Sequence, residues 1–77
     1  MISNKDQDFL NAFGKNLRKL RKEKELSQEE LADKMRTAAS QIGRIERGEI
    51  NPTVSTVKAL ATALELSISV FFQFDPS

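Results

Sequence analysis

The chain is 77 residues long, carries a formal net charge of +1, and contains neither histidine nor cysteine. A chain of this length forms one small domain that buries only about 60% of its unfolded surface. Without cysteine there are no disulfides, thiolate nucleophiles or zinc fingers, and without histidine the commonest general base and metal ligand is missing. The composition therefore predicts an ordered domain that acts by binding, with no cofactor and no catalytic residues.

The N-terminal residues do not have the character of a signal peptide, because Lys5 and Asp6 interrupt any apolar run there. The longest apolar run, residues 70–72, is far too short to cross a bilayer. Residues 1–8 are polar and aperiodic, which predicts a flexible N-terminal tail before a single domain at 9–77. The expected location is therefore the cytoplasm, with no membrane partner.

A first amphipathic helix is predicted from Phe9 to about Glu23. Its apolar residues recur every three or four positions and are Leu10, Phe13, Leu17 and Leu20. The stretch 15–24 carries six basic residues against one acidic residue, namely Lys15, Arg18, Lys19, Arg21, Lys22 and Lys24 against Glu23. This charge density indicates either a nucleic-acid footprint or the solvated side of the helix.

Two short helices follow, over residues 28–35 and 39–47. Ser27 and Glu30 have the spacing of a capping box, which predicts the start of the second helix at Gln28. Because a tight turn joins the two helices, residues 28–47 are a candidate helix-turn-helix.

The remaining residues predict a fourth helix, capped by Thr53, and a last helical turn after Ser67. The fourth helix places five apolar residues on one face, namely Val54, Val57, Leu60, Ala61 and Leu64. The last turn carries Ile68, Phe71 and Phe72. With no alternating strand pattern, the fold class is predicted to be all-α, with five helices.

Three segments give the candidate motif its specificity, namely 26–35 (LSQEELADKM), 45–48 (IERG) and 51–53 (NPT). They resemble the Cro/repressor type of helix-turn-helix protein, the XRE family, from about Phe13 to Phe72. The tail LELS followed by VFF is similar to the small controller proteins of restriction–modification systems. The resemblance implies a compact, lambda-repressor-like DNA-binding domain.

In that family the second helix of the motif lies in the DNA major groove. Carried over by position, the base-contacting residues are Ala38, Ala39, Ser40, Gln41, Gly43, Arg44 and Arg47. Gln41 can form paired hydrogen bonds with adenine and Arg44 with guanine, while Gly43 lets the backbone approach the groove wall. The alternative interpretation of Ser40, Gln41 and Arg44 is an ordinary solvated helix face.

Phosphate contacts are expected from four residues, Gln28, Lys15, Arg18 and Arg36. In the family the glutamine that opens the first helix of the motif bonds a phosphate, assisted by the helix N-terminus. The alternative role of Gln28 is that of an ordinary helix former after a cap. The resemblance further implies that Arg21 and Glu46 form a partly buried structural ion pair.

The turn of the motif departs from the family pattern at two positions. Arg36 stands where the family has glycine, so it either adopts a left-handed conformation at a cost of about 1 kcal/mol or the turn is built differently. Ala38 stands where a capping residue is usual and cannot cap the third helix. If Thr37 caps it instead, the helix starts one residue early and the base-contacting positions shift.

A homodimer is expected, because one short helix reads only a few base pairs and specific sites use two half-sites about 34 Å apart. The predicted interface lies in residues 66–74 and consists of Ile68, Val70, Phe72 and Phe74. Within this region Phe71 is expected to close the core, while Phe72 or Val70 stays exposed.

The sequence thus predicts a transcriptional regulator that binds double-stranded DNA as a homodimer on a near-palindromic operator. No small-molecule effector is expected, because no residues remain for a sensor domain. The alternative is an antitoxin-like or adaptor module whose helix face binds protein. An enzyme is not supported, since the chain lacks a phosphate-binding loop as well as histidine and cysteine.

Overall fold

A computed structural model describes residues 4–75, with side chains from residue 6 onward, as four α-helices followed by a short 3₁₀ helix. The elements are α1 (Asn4–Glu23), α2 (Gln28–Met35), α3 (Ala39–Glu46), α4 (Val54–Leu64) and the 3₁₀ helix (Ile68–Phe72). There is no strand among these residues, which confirms the all-α class. The predicted count of five α-helices is wrong, because a five-residue segment rich in β-branched and aromatic residues forms a 3₁₀ turn instead.

The N-terminal end of α1 begins earlier than predicted. Residues 1–3 lie outside the described residues, and residues 4–8 are helical where the sequence predicted an aperiodic tail. The Gln7 amide donates hydrogen bonds to the Gly48 carbonyl at 2.8 Å and to Asn11 Oδ1 at 3.0 Å. These polar contacts stabilise the first turns of α1. Because the contacts are polar, no apolar periodicity in the sequence indicates that this segment is helical.

The starts of α2 and α4 are those that their caps predict. Ser27 Oγ accepts the Glu30 backbone N–H at 3.0 Å, and the Glu30 carboxylate accepts the Ser27 N–H at 2.8 Å, so the capping box is confirmed. The backbone N–H of Ser27 and, to a smaller extent, its side chain hold the pKa of Glu30 below its usual range. At α4, Thr53 Oγ1 accepts the Thr56 N–H at 3.1 Å.

One apolar core connects all the helices. Its fully buried large side chains are Leu17, Leu31, Ile42, Ile45, Leu60, Leu64 and Phe71. The Asn16 amide donates to the carbonyls of Val70 at 2.9 Å and of Phe71 at 3.0 Å, which fixes the 3₁₀ helix on α1. Phe71 is buried and Phe72 is 48% exposed, which confirms the predicted division of the two rings.

The approach of α1 to α3 depends on a glycine. A Cβ atom at Gly14 would collide with the backbone carbonyl oxygens of Ile45 and Glu46. The two helices therefore cross in backbone contact, and this contact sets the position of α3 on the body of the domain.

Candidate nucleic-acid interface

The turn between α2 and α3 keeps the geometry of the motif without its usual residues. Arg36 adopts a left-handed conformation, with φ 58° and ψ 45°, so it bears the strain that a glycine avoids. The Thr37 N–H donates to the Ala32 carbonyl at 3.0 Å and closes the end of α2. Ala38 is the N-terminal cap of α3 and makes no side-chain capping bond, so the alternative cap at Thr37 is wrong and α3 is not shifted.

The outward face of α3 is polar and exposed at Ser40, Gln41 and Arg44. These positions are three or four residues apart or adjacent, so they share one side of the helix. Ala38 is exposed beside them at the start of the helix. Ala39 is half-buried and packs against the core, so it is less available than the family pattern implies.

Gly43 does not lie on this face. It is buried, and a Cβ atom there would lie 2.9 Å from Arg47 Nη1 and 3.5 Å from Gln28 Oε1. The Arg47 and Gln28 side chains cover this position, and a close approach of the DNA at Gly43 stays a prediction. Gly43 faces the start of α2, and its lack of a side chain leaves room for the side chains of Gln28 and Arg47.

A buried polar network lies behind α3. The Arg21 guanidinium donates to Glu46 from Nε at 2.7 Å and from Nη2 at 3.1 Å, and its Nη1 donates to the Leu26 carbonyl at 2.8 Å. The two charged side chains are only 8% and 3% exposed, so the ion pair expected from the resemblance is present and buried. The hydrogen bond to Glu46 raises the pKa of Arg21 above its usual value.

Gln28 takes part in the same network. Its amide Nε2 donates to Glu46 Oε1 at 3.0 Å, and the residue is half-buried at the first position of α2. The Arg21–Glu46 pair thus orients the amide expected to meet a phosphate. An amide nitrogen carries two hydrogens, so one remains for a second acceptor.

Arg47 caps the end of α3 and pairs with Glu49 across the exposed surface. Arg47 Nε lies 2.6 Å from Glu49 Oε2, and the two side chains are 59% and 51% exposed. This hydrogen bond raises the pKa of Arg47 and lowers that of Glu49. The third helix ends at Glu46, one residue before the predicted boundary, and the Arg47 guanidinium lies close to the Gln28 amide.

The other basic residues expected at phosphates are all on the surface. Lys15 and Arg18 are exposed on α1, and Arg36 is exposed in the turn of the motif. Their contacts with DNA stay predictions, since exposure alone makes a side chain available without giving it a partner.

An apolar groove of about 340 Å³ lies between α1, α4 and the 3₁₀ helix. Of the residues predicted at a dimer interface, Ile68 and Phe72 line it and are 43% and 48% exposed. Val70 and Phe74 are half-buried against the core, so they offer less surface than predicted. The Phe74 ring lies 5.3 Å from that of Phe9.

Sequence reasoning missed two residues of this groove. Phe9 is 40% exposed and Val54 is 81% exposed, although Val54 was expected on the core face of α4. The first turn of α4 extends past the core, which begins at Val57. An apolar residue directly after the cap at Thr53 was the signal available in the sequence.

Within the described part of the chain, no helix is long and apolar enough to cross a membrane. The same residues contain no group of three or more acidic side chains able to hold a metal ion.

The sequence model of the helix-turn-helix family HTH_3 matches residues 17–71, which include all of the polar network and the exposed face of α3. The chain belongs to this family. The HTH_3 family is of the XRE type and consists of DNA-binding transcription regulators. The family membership confirms the resemblance predicted from the sequence.

Two known proteins are similar over most of this chain. The immunity repressor protein of Bacillus phage phi105 is 39% identical over 56 residues, which are 73% of this chain and 39% of the repressor. The chain therefore spans about two fifths of that relative's length. The uncharacterized HTH-type transcriptional regulator y4dJ of Sinorhizobium fredii is 40% identical over 60 residues, or 78% of each chain.

A solved structure shows the same arrangement of helices. The restriction–modification controller protein C.AhdI from Aeromonas hydrophila superposes with a TM-score of 0.80 and is 41% identical, over 82% of this chain and 96% of the controller. The fold of this HTH_3 domain is thus that of a controller protein of nearly the same size.

Proposed function

We propose that this protein is a sequence-specific regulator of transcription that binds double-stranded DNA as a homodimer on a near-palindromic operator. We further propose that it is the controller of a restriction–modification system. The observation that carries the DNA-binding proposal is the exposed row of Ser40, Gln41 and Arg44 on α3, backed by a buried ion pair. The similarity to C.AhdI over almost all of that protein supports the controller role.

The row on α3 has the chemistry of direct base readout. A glutamine such as Gln41 pairs with adenine through two hydrogen bonds, and an arginine such as Arg44 pairs with guanine, each contributing about 1–3 kcal/mol of discrimination. Ser40 donates to or accepts from either kind of base, and the Ala38 methyl contacts a thymine methyl. The exposed face of α3 therefore reads bases, while basic residues around it contact the backbone.

The phosphate contacts proposed around the motif are Gln28, Lys15, Arg18 and Arg36. Gln28 is favoured by its place at the first position of α2, because the backbone N–H groups of a helix N-terminus attract an anion. The three basic side chains are exposed and add charge without sequence preference.

Binding to a duplex selected from a random pool, measured by fluorescence anisotropy over a range of salt, tests base readout. Gln41→Ala and Arg44→Ala are expected to lose most of the preference for the selected site while their circular dichroism stays that of the wild type. The matched control is Lys24→Ala, which removes one exposed positive charge at the end of α1.

In this assay, log K for the wild type is expected to fall steeply with log salt. A wild-type protein with no preference among sequences, or an Arg44→Ala variant no weaker than the control, would contradict the proposal. That outcome would favour the alternative, an adaptor or antitoxin-like module that binds protein.

The apolar groove supports the homodimer. Val54, Ile68, Phe72 and Phe9 expose a contiguous set of apolar side chains around it, and such a patch on a small domain usually marks an interface. A two-fold contact there pairs each patch with its copy, as an isologous interface requires. Dimerisation then links operator occupancy to the concentration of the protein itself.

Sedimentation velocity at tens of micromolar without DNA tests the dimer. The wild type is expected to sediment as a dimer, and Phe72→Asp as a folded monomer. The control is Ser55→Asp, which places the same charge on the exposed side of α4 outside the groove. A wild-type monomer at this concentration would refute the dimer.

A further inference from the structure

A second groove, of about 330 Å³, lies between the end of α2 and the exposed side of α4. Three basic residues line it, namely Lys34, Arg36 and Lys58, and we call it the basic groove. All three side chains are exposed, and no acidic residue of the described chain lines the groove beside them. The groove therefore concentrates a formal charge of +3 in a chain whose net charge is only +1.

The cations of the basic groove are not neutralised within the described part of the protein. The two ion pairs among the described side chains lie elsewhere, in the network behind α3 and directly after α3. Glu30 precedes Lys34 by one helical turn, but its carboxylate accepts the Ser27 N–H of the capping box. A cleft lined by charges of one sign attracts a partner of the opposite sign, so the groove suits an anionic occupant.

The floor of the basic groove is apolar. Met35, Ala59 and Ala63 line it and are half-buried. A phosphate group has no apolar surface with which to cover this floor, whereas a protein segment carries both apolar and acidic side chains. Because covering apolar surface is favourable, the combination of floor and charges favours a protein segment over a phosphate.

We infer that the basic groove binds an extended acidic segment of a partner protein. The groove follows α4 from Ser55 to Ala63, a length of about 12 Å at the rise of an α-helix. An extended segment covers that length with about four residues, and its successive side chains point to opposite sides. Alternating acidic and apolar residues therefore place the apolar side chains on the floor and the acidic ones beside the three cations.

The basic groove is separate from the surfaces proposed for dimerisation and base readout. It shares no lining residue with the apolar groove, and Ser40, Gln41 and Arg44 do not line it. Only Arg36 has two proposed roles, since it is also expected at a phosphate, so Lys34 and Lys58 distinguish the partner from the DNA. A partner bound in this groove is held at the operator together with the protein.

An NMR titration of the isotopically labelled protein tests the groove directly. The probe is a synthetic six-residue peptide in which glutamate and leucine alternate, and two control peptides replace its glutamates by glutamine or its leucines by serine. Only the first peptide is expected to shift the backbone amide signals of residues 34–36 and 55–63. Shifts confined to the basic stretch 15–24 of α1, equal shifts with either control peptide, or no shift at millimolar peptide would overturn the inference.

Charge reversal separates the basic groove from positive charge in general. Lys34→Glu with Lys58→Glu reverses two cations of the groove, and Lys19→Glu with Lys22→Glu makes the same change of net charge at exposed positions of α1. The groove variant is expected to bind the peptide about tenfold more weakly and the control variant less than about twofold. Because all four side chains are exposed, both variants are expected to keep the circular dichroism of the wild type. An equal loss in the two variants would overturn the inference.

A titration in the presence of the selected duplex separates this inference from the proposed function. With the duplex bound, the affinity for the peptide is expected to change by less than about threefold, because salt screens the separate sites from each other. Release of the duplex by the peptide would overturn the inference, by placing the peptide on α3. A greater loss of duplex affinity in the groove variant than in the control variant would also overturn it, by assigning the groove to the DNA backbone. If the wild type binds the peptide in the groove and no DNA, only the proposed function fails.

Discussion

Removing Arg21 is the sharpest test of how the domain holds its reading helix. Arg21→Ala deletes the two bonds to Glu46 and the bond to the Leu26 carbonyl, all between 2.7 and 3.1 Å. Glu46 stays behind as a carboxylate whose side chain is 3% exposed, with the Gln28 amide on one oxygen. Leaving one member of a buried pair uncompensated typically costs about 3–5 kcal/mol.

That loss is large for a domain of this size. At about 0.05–0.15 kcal/mol per residue, a 77-residue chain has a free energy of unfolding of roughly 4–12 kcal/mol. In a small domain each kcal/mol shifts the melting temperature by about 4–8 °C, so Arg21→Ala is expected to melt at least about 12 °C below the wild type. The damage from this variant is therefore to folding before it is to DNA contact.

Urea and thermal unfolding followed by circular dichroism measure the effect at a fixed protein concentration, since dimerisation adds its own stability. Arg18→Ala, an exposed neighbour on α1, is the control and is expected within about 0.5 kcal/mol of the wild type. Replacing the pair by Arg21→Met with Glu46→Leu removes both charges and is expected to recover most of the loss. An Arg21→Ala protein as stable as the control would refute the reasoning.

Two variants and one titration test the turn between α2 and α3, the contact of α1 with α3, and the capping box of α2. Arg36→Gly relieves the left-handed conformation and is expected to raise stability by about 1 kcal/mol while weakening DNA binding; an unchanged melting temperature would argue against strain there. Gly14→Ala is expected to cost about 1–3 kcal/mol because its Cβ meets the backbone of α3, and a wild-type melting curve would contradict that crossing. In an NMR titration Glu30 is expected to show a pKa below the usual glutamate range. The stability that the capping bonds of Glu30 give to α2 is then complete above about pH 4.3 and is lost as the pH falls through the lowered pKa. An ordinary pKa would mean that the capping box is open in solution.

Local signals in the sequence were enough to predict most of the fold. The start of α2 follows from Ser27 and Glu30, whose side chains each accept the backbone N–H of the other, so the three-residue spacing contains the whole capping box. The core faces of α1 and α4 follow from apolar periodicity in the same way. The Arg21–Glu46 pair joins residues 25 positions apart and came from the family resemblance, because no local pattern links them.

The features that sequence reasoning missed depend on tertiary contacts. The first turns of α1 form because Gln7 reaches the Gly48 carbonyl, 41 residues away. Gly43 is buried because the side chains of Gln28 and Arg47 cover it, and Gln28 comes from α2, 15 residues earlier in the chain. Val54 shares the apolar repeat of α4, yet the core ends before it and leaves it in the groove.

Selection of bound duplexes from a random pool tests most directly the claim that α3 reads DNA bases for a two-fold dimer. The account predicts a near-palindromic site whose half-sites lie about 34 Å apart, or a multiple of that distance, along one face of the duplex. It also predicts that Gln41→Ala selects half-sites altered at one position. A pool that shows no enriched sequence with the wild type, or the same enriched sequence with Gln41→Ala and Arg44→Ala, would contradict it.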